Sequence, residues 1–364
     1  MTFIKWFCFV FFVFFTTGIL AQSNNNTNTP LAAYKTGDEW HFIDSNGKEI
    51  FPPQKLLDVG GYSEGFYRVR KNINGKDRIA FLNQKGEIAF VPDCDKAMNF
   101  SDGMAEIMKY TSDAHDDVTC GYINKEGQEV MPCKFNDATD FVRGIAYVLD
   151  KDKAGYIDRT GSYVLILQNC VGTQYHEGFA AVTNHRYKIG FINKNGDIVI
   201  DYQFDEAGYF SEGLCAVGLN GKYGYINRKG KAAIDYVFDY ARPFKEGRAV
   251  VGKLDNSFRI HWGFIDKSGK ATVDKLFDEA GDFSEGLCVV KLDKKWGFVN
   301  NSGDFVIKNN FSSADSFING LAWSSSGDGE EFGFIELTGK FKVKIPKPEK
   351  VVDLRLNKIV YSNK

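Results

Sequence analysis

Between Trp40 and Gly339 the apolar residues fall in runs too short for helices, and within each run large and small or polar positions alternate with a two-residue period, the pattern of strands. One phrase recurs nine times: an aromatic or apolar residue, Gly, an aromatic, Ile or Val, Asp or Asn, two variable residues, then Gly. Trp262-Gly263-Phe264-Ile265-Asp266-Lys267-Ser268-Gly269 and Trp296-Gly297-Phe298-Val299-Asn300-Asn301-Ser302-Gly303 are its cleanest copies. A second phrase interleaves eight times, as in Phe210-Ser211-Glu212-Gly213-Leu214-Cys215-Ala216-Val217 and Phe283-Ser284-Glu285-Gly286-Leu287-Cys288-Val289-Val290. The turn glycines closing the first phrase stand at 47, 86, 127, 161, 196, 230, 269, 303 and 339, and those of the second phrase at 65, 103, 144, 178, 213, 247, 286 and 320. From a turn Gly to the next second-phrase Gly the step is 18 once and 17 seven times, whereas the return steps run from 17 to 24. Half of each unit is therefore fixed in length, and every insertion falls in one connection. A fixed period of this kind marks a repeat architecture.

The first phrase reads as a strand entering a tight turn, in which Asp266 or Asn300 bonds its own backbone two residues on and the final Gly supplies positive φ. Short β-branched strands follow, such as Ile198-Val199-Ile200 and Phe305-Val306-Ile307, then a connector (Phe204 to Phe210, Phe238 to Phe244, Phe277 to Phe283), then a strand opened by the second-phrase Gly. Each unit is expected to hold three strands and no amphipathic helix. In the last of these strands a small residue (Ala105, Ala146, Ala180, Cys215, Ala249, Cys288, Ala322) shares a face with a β-branched one two positions on. The intervening residue changes from unit to unit: Arg68, Glu106, Tyr147, Ala181, Ala216, Val250, Val289, Trp323. That row is expected to point outward and is a candidate recognition surface. One such unit cannot bury its own apolar face, so stability must come from stacking neighbours.

These repeated phrases resemble the WG (KWG) repeat family of bacterial exported proteins over about Tyr34 to Pro346. The resemblance implies an all-β tandem repeat array and a binding or surface scaffold without a reaction. Trp40-His41 and Ile79-Ala80 lack the Gly, and Cys120, Ala154, Ile189, Tyr223 and Phe332 replace the Trp, so the N-terminal copies are candidates for capping units. About eight units are expected. An open solenoid-like array is favoured over β-propeller-like closure, because both ends of the array carry the same phrase. The tail after the array, residues 347–364, holds two short apolar runs that could pair as a terminal cap and protect the last edge.

The N-terminus changes the picture. Lys5, the apolar run Trp6 to Phe15 and a small-residue stretch ending at Ala21 match a secretory signal over residues 1–21, followed by a polar linker over 22–33. Export to the periplasm, the medium or the cell surface is expected, with no transmembrane segment after cleavage. A net charge of −2 and pI near 6.3 give no basic excess for nucleic acid. Six cysteines remain after Ala21; Cys215 and Cys288 fill the small slot and read as buried side chains, while the turn at Lys125-Glu126-Gly127 sets Cys120 opposite Pro132 and disfavours a bridge to Cys133.

Candidate chemistry is thin. Asp205 with Glu206, Asp278 with Glu279, Glu212 and Glu285 recur with the repeat, whereas a catalytic carboxylate pair is singular. No nucleophile elbow or phosphate-cradling motif is present, so no catalytic residue and no cofactor is expected. Asp113, His115, Asp116 and Asp117 crowd the longest insertion without a known calcium-loop spacing, and a solvated acidic loop is the expectation. The remaining insertions, including Leu254 to His261 with Phe258, lie along the same edge. Tyr147, Trp323, Arg68, Glu106, His115 and Phe258 are the candidate binding residues for a protein or polysaccharide partner at the cell envelope. A carbohydrate-active enzyme and a self-associating envelope component are the alternatives.

Overall fold

The computed structural model describes residues 30–112, 117–272 and 276–363. The expected signal, most of the linker, and Asp113, His115 and Asp116 lie outside them. Among the described residues every regular element is a β-strand and every pairing between strands is antiparallel.

A representative unit strings together Glu206–Ala207, Leu214–Leu219, Lys222–Asn227 and Ala232–Phe238, paired in that order. The fourth strand, absent from the sequence expectation, is the connector itself: Glu206 and Ala207 pair with Gly218 and Val217. Two paired residues leave too short a trace for periodicity to reveal. In the strand Lys222–Asn227, the signature Gly224 has no room for a side chain, since a Cβ would sit 2.6 Å from the Ile234 carbonyl oxygen of the outer strand. The register shifts there, with Tyr223 facing Phe238 and Tyr225 facing Ile234. The equivalent bulge in the Gly127 unit puts Cys120 opposite Phe135, not opposite Pro132 as the turn alone suggests. All six described cysteines are free thiols, and Cys215 and Cys288 are fully buried.

Numbered by their turn glycines, the units are nine, one more than expected. The seven-stranded sheet is two units, 8 and 9, joined through the long strand Phe305–Ala314, and unit 1 is assembled from both ends of the chain. Pro30–Thr36, Glu39–Asp44 and Glu49–Gln54 lack a connector strand of their own, and Lys350–Asp353 of the tail supplies it: Tyr34 pairs with Val351 and Ala32 with Asp353. The tail thus completes unit 1, where the sequence suggested a cap on the last edge. The open array favoured from sequence is corrected accordingly. The ring is closed.

Packing follows the same cycle. Nine apolar clusters each span adjoining units, from Ala33 and Phe42 of unit 1 with Tyr67 and Val69 of unit 2, to Trp323 and Phe334 of unit 9 with Leu31 and Ala32 of unit 1. Eight of the nine turn glycines, at positive φ, rest on the outer strand of the preceding unit, among them Gly86 on Phe51, Gly230 on Ile200, Gly269 on Ile234, Gly339 on Ile307 and, across the closure, Gly47 on Val343. The first-phrase aromatic of one unit meets the second-phrase aromatic of the next edge-on or tilted, as in Tyr122–Phe141 at 4.9 Å, Tyr225–Phe244 at 4.9 Å and Phe298–Phe317 at 4.8 Å. Such pairs contribute about 1 kcal/mol each beyond their buried area. This cyclic stacking of four-stranded sheets is the β-propeller-like arrangement.

Closure buries both faces of every sheet, and that overturns the outward orientation expected of the variable row. Trp323 is 1%, Tyr147 2% and Glu106 5% exposed, and Ala181, Ala216, Val250 and Val289 are buried as well. The row of one unit faces the small slot of the next, so Tyr147 shares a cluster with Ala180, Ala181 with Cys215, and Val250 with Cys288. Alternation marks an inside and an outside only when one face meets water.

Candidate binding face

Two kinds of turn bound each unit. The turn between the connector strand and the second strand carries the second phrase, and the residue before its Gly takes the left-handed conformation: Glu64, Asp102, Arg143, Glu177, Glu212, Glu246, Glu285 and Asn319, all at φ between 50 and 55°. Their carboxylates reach into the following unit. Glu64 accepts from the Gly103 amide, Glu177 from those of Glu212 and Gly213, Glu212 from Gly247, Glu246 from Glu285 and Gly286, and Glu285 from Gly320. Burial pushes the Glu177 carboxyl up, but Arg228 and the two amides outweigh it and hold it below its usual value. Repetition of the acids is thus explained by unit-to-unit bonds. Serines of the same phrase add to the link, Ser211 donating to the Phe244 carbonyl at 2.6 Å and Ser284 to that of Phe317 at 2.6 Å.

The opposite edge carries the hairpin turns between second and third strands, where all insertions fall. In units 3, 4, 6 and 7 a connector Asx ties the turn down: Asp95 accepts from the Tyr110 amide, Asn136 from Lys151, Asp205 from Asn220 and Asp239 from Leu254. Asp205 also pairs with Lys188 of the preceding hairpin, and Asp239 with Lys222. Those lysines and backbone amides hold both carboxyls below their usual value. The bridges run from the unit 5 hairpin through that of unit 6 to that of unit 7, fixing three neighbouring tips along one face.

At two of those tips the turn chemistry is unusual. The outer turn of unit 6 shows the standard form: Asn227 accepts through its side chain from the amides of Lys229 and Lys231 and through its carbonyl from Gly230, which sits at φ 73°. In unit 5 the hairpin repeats this geometry with Asn184 accepting from Arg186, Lys188 and Tyr187, and in unit 7 with Asp255 accepting from Ser257, Arg259 and Phe258. The Gly position is therefore filled by Tyr187 and Phe258, both at φ 58°. Their side chains are 63% and 86% exposed. Unit 9 keeps Gly329 at the same place, at φ 75°.

Of the residues singled out from sequence, the structure leaves Phe258 on this face and does not gather the others there. Tyr147 and Trp323 are core. Arg68 is half-buried between units 2 and 3, donating through Nε to Asn99 at 3.0 Å and through Nη2 to the Gly60 carbonyl at 2.9 Å. Glu106 is enclosed near Cys120, Asp137 and Asp140; burial, and then the two aspartates, push its carboxyl up to about 8 against the pull of the Cys120 thiol. His115 lies outside the described residues. Tyr187 was missed, although Asn184-His185-Arg186-Tyr187-Lys188 matches Asp255-Asn256-Ser257-Phe258-Arg259 in both the Asx and the aromatic position. Among the described residues no three His, Cys, Asp or Glu side chains converge as metal ligands.

The family model described as WG containing repeat matches residues 40–76, 80–110, 121–153, 189–223, 223–256, 262–296 and 296–323, which is more than half of the chain. No curated protein matches. Among solved structures, BamB from Moraxella catarrhalis is 12% identical over 82% of this chain and 88% of its own, with a TM-score of 0.42. The uncharacterized protein lmo1340 from Listeria monocytogenes EGD-e is 9% identical over 84% of this chain and 94% of its own, with a TM-score of 0.41. Hsv2 from Kluyveromyces lactis is 10% identical over 54% of this chain and 71% of its own, with a TM-score of 0.35. At that identity and overlap nothing about this chain follows from them.

Proposed function

This chain belongs to the WG repeat family, and from that premise we propose that it is a non-catalytic, exported scaffold that binds a protein or polysaccharide partner at the cell envelope through its hairpin face. The observation that carries the reading is the asymmetry of the ring. Length is fixed along the edge where Glu and Asp carboxylates bind the next unit, and all insertions, together with two exposed aromatics, fall along the other. Loops on a rigid frame that vary in length while the frame does not are where recognition concentrates. Of the recurring acids, Asp205, Glu212 and Glu285 bond backbone amides and Glu279 pairs with Lys291, which supports a structural role for them. The apolar run Trp6 to Phe15 after Lys5 supports export.

The test is capture from envelope extract by the chain lacking residues 1–21, compared with a variant whose unit 5 and unit 7 hairpins are cut to two-residue Asn-Gly turns like Asn220-Gly221. Loss of the captured partner with an unchanged melting temperature supports the hairpin face. Equal capture by the shortened, folded variant overturns it.

A further inference from the structure

An outer strand leaves one backbone edge unpaired, and such an edge invites a foreign strand unless bulges, prolines, lysines or shortness guard it. Among the described residues, eight of the nine units have a guard. Units 3, 5, 6 and 8 shift register by two residues at the signature Gly. Unit 1 holds Pro52 and Pro53, the outer strand of unit 2 is only Ile88–Phe90 before Pro92, and unit 7 pairs there through isolated bridges. Unit 9 runs in register but sets the exposed Lys342 and Lys344 along its outer strand. Unit 4 has none of these. Its outer strand Tyr163–Ile166 ends the sheet, keeps register from Tyr156–Leu165 to Gly155–Ile166, and continues to Leu167, whose amide donates to the Ala154 carbonyl at 2.9 Å. Residues 161–175 hold no charged side chain, whereas the same span of every other unit holds at least three.

Backbone groups alternate in direction along an antiparallel strand, so the Leu167 bond to Ala154 turns the N–H and C=O groups of Val164 and Ile166 toward the open edge. Their side chains share one face and are 55% and 45% exposed. Val130 and Val199, exposed at the same third place after the turn Gly in units 3 and 5, carry the apolar strip to either side, until Ala89 in unit 2 and Ala233 in unit 6 end it. The absence of charge names the occupant. When a strand pairs antiparallel with its own copy about a twofold axis, each residue meets the same sequence reversed, so a charge on it faces or neighbours a like charge. An uncharged edge is complementary to itself. We propose that the outer strand of unit 4 pairs with that of a second copy of this chain, forming a closed dimer. Centred on Leu165, the pairing sets Val164 opposite Ile166 of the second copy, and the two residues exchange the backbone hydrogen bonds that the open edge lacks. The copies run antiparallel, so their hairpin faces point in opposite directions. With one unguarded edge per chain, growth stops at two.

This dimer does not depend on what the hairpin face binds. The test is sedimentation equilibrium of the chain lacking residues 1–21, up to about 0.1 mM, beside two double variants. Val164→Lys, Ile166→Lys copies the lysines that unit 9 carries at the same two places of an equally in-register strand, which the fold accepts there. Val164→Glu, Ile166→Glu carries the opposite charge. The parent should sediment as a dimer, and each variant alone should dissociate about tenfold more readily or worse. An equimolar mixture of the two variants should dimerise again, because opposite charges then face each other across the edge. Val237→Lys, at a comparably exposed site on the bulged outer strand of unit 6, should leave the dimer intact. Hydrogen exchange reads the same edge without a substitution: in the parent the Val164 and Ile166 amides should gain protection as concentration rises. A monomeric parent, double variants that dimerise like the parent, a mixture that stays apart, loss of the dimer in Val237→Lys, growth beyond two copies, or amide protection independent of concentration each overturns the proposal.

Discussion

Trp323 and Phe258 are both large aromatics at positions that change from one unit to the next, yet one is 1% and the other 86% exposed. The row containing Trp323 varies because each residue is fitted to the small slot of the following unit. A bulky Tyr147 meets Ala180, and a small Ala181 meets Cys215 backed by Phe210. Variation there is complementary packing, and each residue is constrained by its partner. The hairpin tips are held through backbone amides and lysines, and the exposed Phe258 ring answers to turn geometry and to what arrives from solvent. In a repeat protein, variability alone therefore does not separate recognition from packing; burial does.

The largest test of that contrast is Trp323→Ala. Its indole fills the junction where unit 9 meets Leu31, Ala32 and Tyr34 of unit 1, packs on Tyr361 of the tail, and donates to Ser313 at 3.3 Å. Loss of such a side chain should cost about 4 kcal/mol, read as a lowered urea midpoint. A change within experimental error would place Trp323 with the tips and erase the distinction.

Glu106 sharpens the contrast through pH. Its carboxyl, 5% exposed, is raised to about 8, so between the ordinary carboxyl value and that point the folded chain holds a proton the unfolded chain has released. The stabilising effect of the neutral acid is complete below the unfolded value, near 4.3, and is lost as pH rises through about 8. Glu106→Gln should leave stability at pH 4.5 nearly unchanged and raise it at pH 8 by about 4 kcal/mol relative to the parent. Urea unfolding at the two values reads this directly; parallel pH profiles for parent and variant would show Glu106 to be solvated like a surface acid.

How much of this the sequence carried depends on what each residue records. The hairpins were legible because their demands are local: Asp266 bonds the Ser268 amide at 2.8 Å, and the turn Gly takes positive φ, as the phrase implies. The connector strand was not, since two paired residues leave no period. Closure was hidden because unit 1 is split. Leu31-Ala32-Ala33-Tyr34 fills the second-strand position without the second-phrase Gly, and its neighbour Val351-Val352-Asp353 lies more than 300 residues away. Counting nine first phrases against eight second phrases suggested two like ends; the imbalance was the trace of a unit whose missing strand sits in the tail. The orientation of Arg68, Glu106, Tyr147 and Trp323 could not be read, because both faces are covered and the two-residue period has no wet side to point to.

The smallest expected effect lies at the tips. Phe258→Gly removes a ring that touches little and relaxes φ 58°, a conformation costing an L-residue about 1 kcal/mol. Gly also widens the unfolded ensemble, which offsets about 0.5–1 kcal/mol of that gain. The net change should therefore lie between zero and about 0.5 kcal/mol in favour of the variant, read as an unchanged or slightly raised melting temperature. At Gly230 the same turn presses on Ile200, with a Cβ only 2.9 Å from that side chain, so the residue there is fixed by the neighbouring unit as well as by φ. Phe258 has no such neighbour. If Phe258→Gly were to destabilise by 2 kcal/mol or more, the tip would be part of the packed ring after all, and its exposed aromatic would be explained by folding rather than by a partner.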